Sequence, residues 1–178
     1  MGRIAVLGLG VLLAGWAAAP AARAAEGYAE LAPTDEDGTL IGDVFLSDEP
    51  EGLVVDVTVS GAPPGVHAIH IHEQGDCGEG GSAAGGHFNP AGAPHGFLPK
   101  DGASGAHAGD MGNLEIGPDG SGALAITLPR VTLADGPTSV AGRAIILHAQ
   151  ADDFGQPTGN AGGRIGCGVI EVDAGLDE

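Results

Sequence analysis

Short stretches in which every second residue is apolar recur along this chain, and Gly, Pro or Asp bounds most of them. Side chains alternate between the two faces of a β-strand, so a period of two is typical of strands, whereas the helical period of 3.6 is nearly absent here. The predicted strands are residues 28–32, 39–46, 53–60, 66–73, 113–117, 122–128, 143–149 and 166–172. Eight short strands separated by turns predict an all-β sandwich or barrel.

Two segments, residues 74–112 and 151–164, are too long and too rich in Gly and Pro to be strands, and we predict that they are loops. Long loops inside a compact domain are usually functional or disordered. The first of them carries three of the seven histidines. We therefore expect the chemistry of this chain to lie on its loops and on the strand ends beside them.

Residues 1–24 have the pattern of a secretory signal sequence. Arg3 precedes an apolar run from Ile4 to Ala19, and small residues near Ala24 suit a cleavage site. A membrane anchor is less favoured, because the run is shorter than the roughly 20 residues of a spanning helix. We expect one mature domain, residues 25–178, that is exported to the periplasm or the extracellular medium and has no membrane anchor.

The expected mature domain is strongly acidic. It keeps all 24 Asp and Glu residues but only four of the six Lys and Arg residues, which gives a net charge of 4 − 24 = −20. This charge disfavours nucleic acid and anionic membrane surfaces as partners. Its two cysteines, Cys77 and Cys167, are an even number in an exported chain, which favours one disulfide over two buried thiols.

Histidines alternate along the predicted strand 66–73. His70 and His72 lie on one face, whereas His67 has the opposite parity and shares its face with Ile69 and Ile71. Two imidazoles on one face are either a solvated pair or a bidentate metal site. For His67 we adopt the interpretation of a hydrogen-bonded structural histidine.

The predicted loop 74–112 contains three imidazoles and a carboxylate: His87, His95, His107 and Asp110. Zinc prefers four nitrogen, sulfur or oxygen ligands in a tetrahedron, and a structural site takes all four from the protein. His107 and Asp110 are separated by two residues of a Gly-rich turn and can converge on one ion. His148, at the end of an aliphatic strand beside a loop, is a further candidate for a site.

Together these segments resemble the copper/zinc superoxide dismutase family, in its exported bacterial form, over nearly all of the mature chain. The resemblance is carried by HIHE at 70–73, GHFNP at 86–90, HAGDMGN at 107–113, LHAQADD at 147–153 and GNAGGRIGCGVI at 159–170. It implies an eight-stranded Greek-key fold with one copper and one zinc ion per subunit. By this resemblance copper would be held by His70, His72, His87 and His148, and zinc by His87, His95, His107 and Asp110.

The resemblance also implies roles beyond the ligands. Asp152 would orient one ligand of each metal, namely His70 and His95. Arg164 would dock the superoxide anion beside the copper, and His87 would bridge the metals and carry a proton. Cys77 and Cys167 would anchor the long loop to the last strand. The implied reaction turns two superoxide anions into oxygen and hydrogen peroxide, as antioxidant defence outside the cytoplasm.

Two rival functions remain beside this one. A metal carrier without turnover would normally have lost a copper ligand or the arginine, and a zinc hydrolase would leave His70, His72 and His148 without a role. Cys77 lies earlier in its loop than in cytosolic relatives, which leaves a homodimer open. Residues 154–163 lack Lys and Glu, so we expect weak electrostatic steering of superoxide. For Arg143 we expect a structural salt bridge.

Overall fold

The computed structural model describes residues 24–173, so the predicted signal sequence lies outside it apart from Ala24. The described chain forms nine strands: β1 (Glu26–Pro33), β2 (Ile41–Glu49), β3 (Gly52–Ser60), β4 (Gly65–His72), β5 (Asp110–Ile116), β6 (Gly122–Leu128), β7 (Ala144–His148), β8 (Arg164–Val169) and β9 (Glu171–Val172). A single 3₁₀ turn, Ser82–Ala84, and one short helix, α1 (Leu98–Asp101), interrupt the loop between β4 and β5. Within this range no helix is long and apolar enough to cross a membrane.

The strands form one closed antiparallel barrel. Around it the order is β1, β2, β3, β6, β5, β4, β7 and β8, and β8 pairs again with β1, while the two-residue β9 adds to β1. The chain therefore crosses from β3 to β4 and from β6 to β7 between strands that are not neighbours, which is a Greek-key arrangement. The predicted eight-stranded all-β fold is confirmed, with a short ninth strand added.

Several strand limits differ from those that the sequence predicts. The largest shift beside a long loop is at β5, which begins at Asp110, three residues earlier than predicted, and β8 begins at Arg164, two residues earlier. The predicted strand 166–172 is divided at Ile170, which lies between β8 and β9 and whose N–H donates to the carbonyl of Arg143 just before β7 begins. These limits depend on the neighbouring strand, which the local alternation of residues does not contain.

The barrel interior is aliphatic, as a chain with few aromatic residues requires. Along β3, Leu53, Val55, Val57 and Val59 are buried, while the intervening residues face outward. Ile69 and Ile71 of β4 lie in the same core. Their burial fixes the register of β4, because a slip by one residue would put His70 and His72 inside and the two isoleucines outside.

Cys77 and Cys167 form the expected disulfide across 90 residues of sequence. Cys167 lies in β8, and Cys77 lies near the start of the loop between β4 and β5. The bridge therefore fastens that loop to the outside of the barrel, next to the segment that carries Gly81, Gly85 and His87.

Candidate metal centre

β4 carries three histidines, and the alternation of side chains puts one of them on the opposite face from the other two. His70 and His72 lie on the outer face of the strand, among the long loops, and both are buried. His67 lies apart from them and donates from Nδ1 to the backbone carbonyl of His148, at 2.8 Å. His67 is thus hydrogen-bonded within the fold, as its parity predicts.

A shift in the pairing of β4 with β5 brings Asp110 beside His70. Ala68 is paired with Asn113, yet His70 is paired with Asp110, so β5 has one more residue than β4 over this interval. Gly112 in the extra stretch has φ of 84°, a conformation that glycine adopts without strain, and a Cβ there would lie 3.0 Å from the Phe97 ring. Bulges of this kind re-aim side chains beside sites.

A second shift, between β7 and β8, brings Arg164 beside His148. Leu147 is paired with Gly166, whereas His148 is paired with Arg164, so Ile165 is the additional residue. The two irregularities lie at strand ends that face the long loops. They bring Asp110 beside His70 and Arg164 beside His148, although the members of each pair are far apart in the sequence.

The first cluster of potential ligands consists of four buried histidines: His70, His72, His87 and His148. One nitrogen from each lies within 4.8 Å of the others. His70 donates from Nε2 to Asp152, and His72 donates from Nδ1 to the carbonyl of Gly85, both at 2.9 Å. These bonds leave Nδ1 of His70 buried with no hydrogen-bond partner among residues 24–173, and Nε2 of His72 facing Nε2 of His148 at 3.4 Å.

An unpaired nitrogen buried in this way is costly, and a metal ion would satisfy it. The hydrogen bonds from His70 and His72 also fix the tautomer of each ring, because the bonded nitrogen carries the proton and the opposite nitrogen keeps its lone pair. A cluster of four imidazoles suits copper. The first cluster therefore fits a copper ion.

The second cluster consists of His87, His95, His107 and Asp110, again with one ligand atom from each within 4.8 Å of the others. Nδ1 of His87 and Nδ1 of His95 each lie 2.9 Å from a carboxylate oxygen of Asp110, and Nδ1 of His107 lies 3.2 Å away. Three imidazoles and a carboxylate, all buried, are a donor set that zinc prefers. His87 belongs to both clusters.

Asp152 connects the two clusters. Its carboxylate accepts from Nε2 of His70 and from Nε2 of His95, each at 2.9 Å. Its own backbone is held by Asn113, whose side chain accepts from the Asp152 N–H at 2.7 Å and donates to the Asp152 carbonyl at 3.0 Å. Asn113 lies within a segment that supports the family resemblance, but no spacing in the sequence indicates this role.

Burial sets the charge of the first cluster. It lowers the pKa of His72 to about 2 and that of His148 to about 3. Burial also lowers the pKa of His70 to about 4, although the hydrogen bond to Asp152 opposes it. These imidazoles are neutral near pH 7, which is the form that binds metal ions.

In the second cluster, hydrogen bonds between histidines and carboxylates affect the pKa values more than burial does. Burial alone would lower the pKa of His95, but its bonds to Asp110 and Asp152 outweigh burial and raise the pKa to about 9. Burial likewise opposes ionisation of both carboxyl groups, yet their histidine partners hold both pKa values well below the usual range. Both carboxylates are therefore ionised, so they can accept from imidazoles or coordinate a cation.

An open pocket of about 420 Å³ leads to the first cluster. Its lining residues are His72, Gly86, His87, His148, Thr158, Asn160, Ala161, Gly162 and Arg164. The Arg164 guanidinium donates to the carbonyls of Gly81 and Gly85, and Gly85 is also the acceptor for His72. A fixed positive charge thus stands at the entrance to the histidines, where it can attract a small anion.

Arg143 has no part in this pocket. Its guanidinium carbon lies 3.7 Å from the centre of the Phe88 ring, and it donates to the carbonyls of Ser139 and Glu73. Where we expected a carboxylate partner, two backbone carbonyls accept instead. Arg143 therefore packs against Glu73 and Phe88, the residues that directly follow His72 and His87.

Comparison with known proteins agrees with this geometry. The family model described as copper/zinc superoxide dismutase matches residues 40–170. A relative from Brassica juncea, superoxide dismutase [Cu-Zn] 2, is 44% identical over 137 residues, which cover 72% of this chain and 88% of the relative.

Two solved structures are also similar to this chain. The crystal structure of the clock protein EA4 has a TM-score of 0.72 and 34% identity, and the match covers 82% of this chain and 93% of that one. A double mutant of a SOD-like protein from Bacillus subtilis has a TM-score of 0.71 and 36% identity, with coverage of 81% and 96%.

Proposed function

The chain belongs to the copper/zinc superoxide dismutase family, and on that premise we propose how its residues divide between the two metals and where the protein works. It is an oxidoreductase whose substrate is superoxide and whose cofactors are copper and zinc. We assign copper to His70, His72, His87 and His148, and zinc to His87, His95, His107 and Asp110.

One observation supports this division above all: the two clusters share His87 and only His87. Nδ1 of His87 faces Asp110 in the second cluster, so Nε2 is the nitrogen left for the first cluster. One imidazole can serve two ions only through its two nitrogens. The shared histidine therefore makes a pair of adjacent, unlike sites, one of imidazoles alone and one with a carboxylate.

Dismutation converts two superoxide anions and two protons into one molecule of oxygen and one of hydrogen peroxide. Bound copper supplies the one-electron couple, because zinc has no redox chemistry. Arg164 lines the pocket together with His148 and binds the anion there, because the carbonyls of Gly81 and Gly85 hold its guanidinium in place. His87 lines the same pocket, and while its Nε2 does not hold copper, that nitrogen can carry a proton and pass it to the departing peroxide.

We further propose that the protein is exported to the periplasm or the extracellular medium and protects that compartment against superoxide. The signal-sequence pattern of residues 1–24 supports export, and the disulfide between Cys77 and Cys167 is compatible with an oxidising compartment. A homodimer stays a prediction, and the molecular mass of the purified protein in solution tests it.

The test uses the purified full-length product, its copper and zinc content and its rate of superoxide removal. We expect one copper and one zinc per chain. The His148→Ala variant should lose copper and activity while it keeps zinc. The Arg164→Ala variant should keep both metals and lose activity by roughly 100-fold, as when a preorganised electrostatic group is removed.

Arg130→Ala is the matched control for Arg164→Ala. Arg130 is exposed and lies outside the pocket, so the substitution removes the same charge from a remote position and should change activity less than twofold. Activity that survives the loss of His148 would refute the copper assignment. Equal losses in the two arginine variants would refute the role of Arg164.

A further inference from the structure

The loop between β7 and β8 contacts three parts of His95: its Nε2 atom, its ring and its backbone. Asp152 accepts from its Nε2, as described above. The Phe154 ring lies roughly parallel to its imidazole, with centroids 6.5 Å apart and planes 19° apart. The Gln156 side chain is paired with its backbone. Three residues at alternate positions of one short segment thus converge on a single histidine of the other loop.

Gln156 satisfies both main-chain polar groups of His95. Its Oε1 accepts from the His95 N–H at 3.0 Å, and its Nε2 donates to the His95 carbonyl at 2.8 Å. Such reciprocal bonding is what a neighbouring strand would provide, but here a side chain provides it. The backbone of His95 lies in a Gly/Pro-rich stretch without strand partners, so this amide restricts where its imidazole can point.

Phe154 has an unfavourable backbone conformation, and in this conformation it contacts Asp152, His95 and Phe97. Its φ is 59°, in the left-handed region that non-glycine residues rarely adopt. Its N–H donates to Oδ1 of Asp152 at 2.8 Å, and its ring lies against His95 and, at 6.1 Å, against Phe97. Phe154 is 44% exposed whereas His95 beside it is 3% exposed, so the ring lies at the protein surface next to a buried histidine.

We propose that Phe154 and Gln156 are positioning residues that hold His95 in place for zinc. The proposal rests on the assignment of His95 to zinc made above. Neither residue lines the pocket that contains Arg164, so both act through His95 and not on superoxide. Gln156 fixes the backbone of the ligand, Phe154 covers its ring, and together they connect the two long loops at the zinc ligand.

The experiment follows zinc release from the purified full-length protein into excess chromophoric chelator. Gln156→Met keeps the length of the side chain and loses both hydrogen bonds, and Phe154→Ala removes the ring. We expect each to speed zinc release by about tenfold, the lower limit for partners of metal ligands. Gln156→Glu can still accept from the His95 N–H but cannot donate to its carbonyl, so its release rate should lie between those of the unmodified protein and Gln156→Met.

Two further readouts separate positioning from general loosening. Cobalt(II) placed at the zinc site has visible bands that report ligand geometry, and we expect these bands to shift in Gln156→Met and Phe154→Ala. The denaturant midpoint of the metal-free protein should change little, because the bonds act on one loop residue. Gln74→Met, at an exposed glutamine, is the matched control and should release zinc within twofold of the unmodified rate.

The outcomes distinguish this proposal from the zinc assignment. His95→Ala that retains one zinc with an unchanged release rate would overturn the assignment itself. If His95→Ala loses zinc while Gln156→Met and Phe154→Ala release it at the unmodified rate, the positioning role is refuted. It is also refuted if release is faster but the cobalt bands stay in place and the metal-free midpoint falls.

Discussion

Replacing Asp152 by asparagine is the substitution that we expect to weaken both metal sites at once. Asp152 is 3% exposed, and its carboxylate accepts from His70, a residue of the first cluster, and from His95, a residue of the second. Asparagine has the same size but offers one oxygen and one NH₂ group. In either orientation its NH₂ group would face a donor: His70 if it replaces Oδ2, or His95 and the N–H of Phe154 if it replaces Oδ1.

The expected magnitude follows from these two bonds. A hydrogen bond to a charged group contributes about 1.5–3 kcal/mol, and loss of a partner of a metal ligand typically weakens metal binding by about 10–100-fold. The latter range corresponds to about 1.4–2.7 kcal/mol. We expect Asp152→Asn to weaken both zinc and copper binding within this range, because the carboxylate holds one ligand of each metal.

Competition titrations with chelators of known affinity measure the effect for each metal separately. Asp119→Asn is the matched control, since it removes the same charge from an exposed turn between β5 and β6, where the carboxylate accepts from the N–H of Ser121 and lies outside both clusters. Its metal affinities should stay within twofold of the unmodified values. The reasoning fails if Asp152→Asn leaves both affinities unchanged, or if Asp119→Asn lowers them equally.

Three other properties can be tested on the same protein. Replacing Cys77 and Cys167 together by serine should lower the free energy of unfolding by about 4–5 kcal/mol, because the bridge closes a loop across 90 residues of sequence. Equal denaturation curves for the unmodified protein and the double variant would contradict this. Catalytic efficiency should depend weakly on ionic strength, or rise with it, because salt screens the repulsion between superoxide and the expected mature domain, whose net charge is −20, while Arg164 acts at short range. A steep fall of catalytic efficiency with salt would show that steering dominates. In the metal-free protein, burial lowers the pKa values of His70, His72 and His148 to about 4, 2 and 3, so between pH 6 and 5 the unfolded chain binds between about two and three protons that the folded chain does not. Stability should therefore fall by about 3–4 kcal/mol over that unit; denaturant titrations at the two pH values measure it, and constant stability would contradict the assigned burial.

The alternation of apolar residues was sufficient to predict an all-β sandwich or barrel and most of its strands, because the period of two is a local property of the backbone. The same parity separates His67 from His70 and His72. With only Cys77 and Cys167 in the chain, one intramolecular bridge was the only pairing to predict. These conclusions need no knowledge of which strands are neighbours.

Tertiary structure alone decided which residues come together in the candidate metal centre. Asp110 and Arg164 are strand residues beside His70 and His148 only because one extra residue in β5 and one in β8 shift the pairing. The contacts that Gln156 makes to His95 cross 61 residues of sequence. A local pattern records which face a side chain takes, but not the register against a distant strand, because that register is set by packing and hydrogen bonds between segments far apart in the chain.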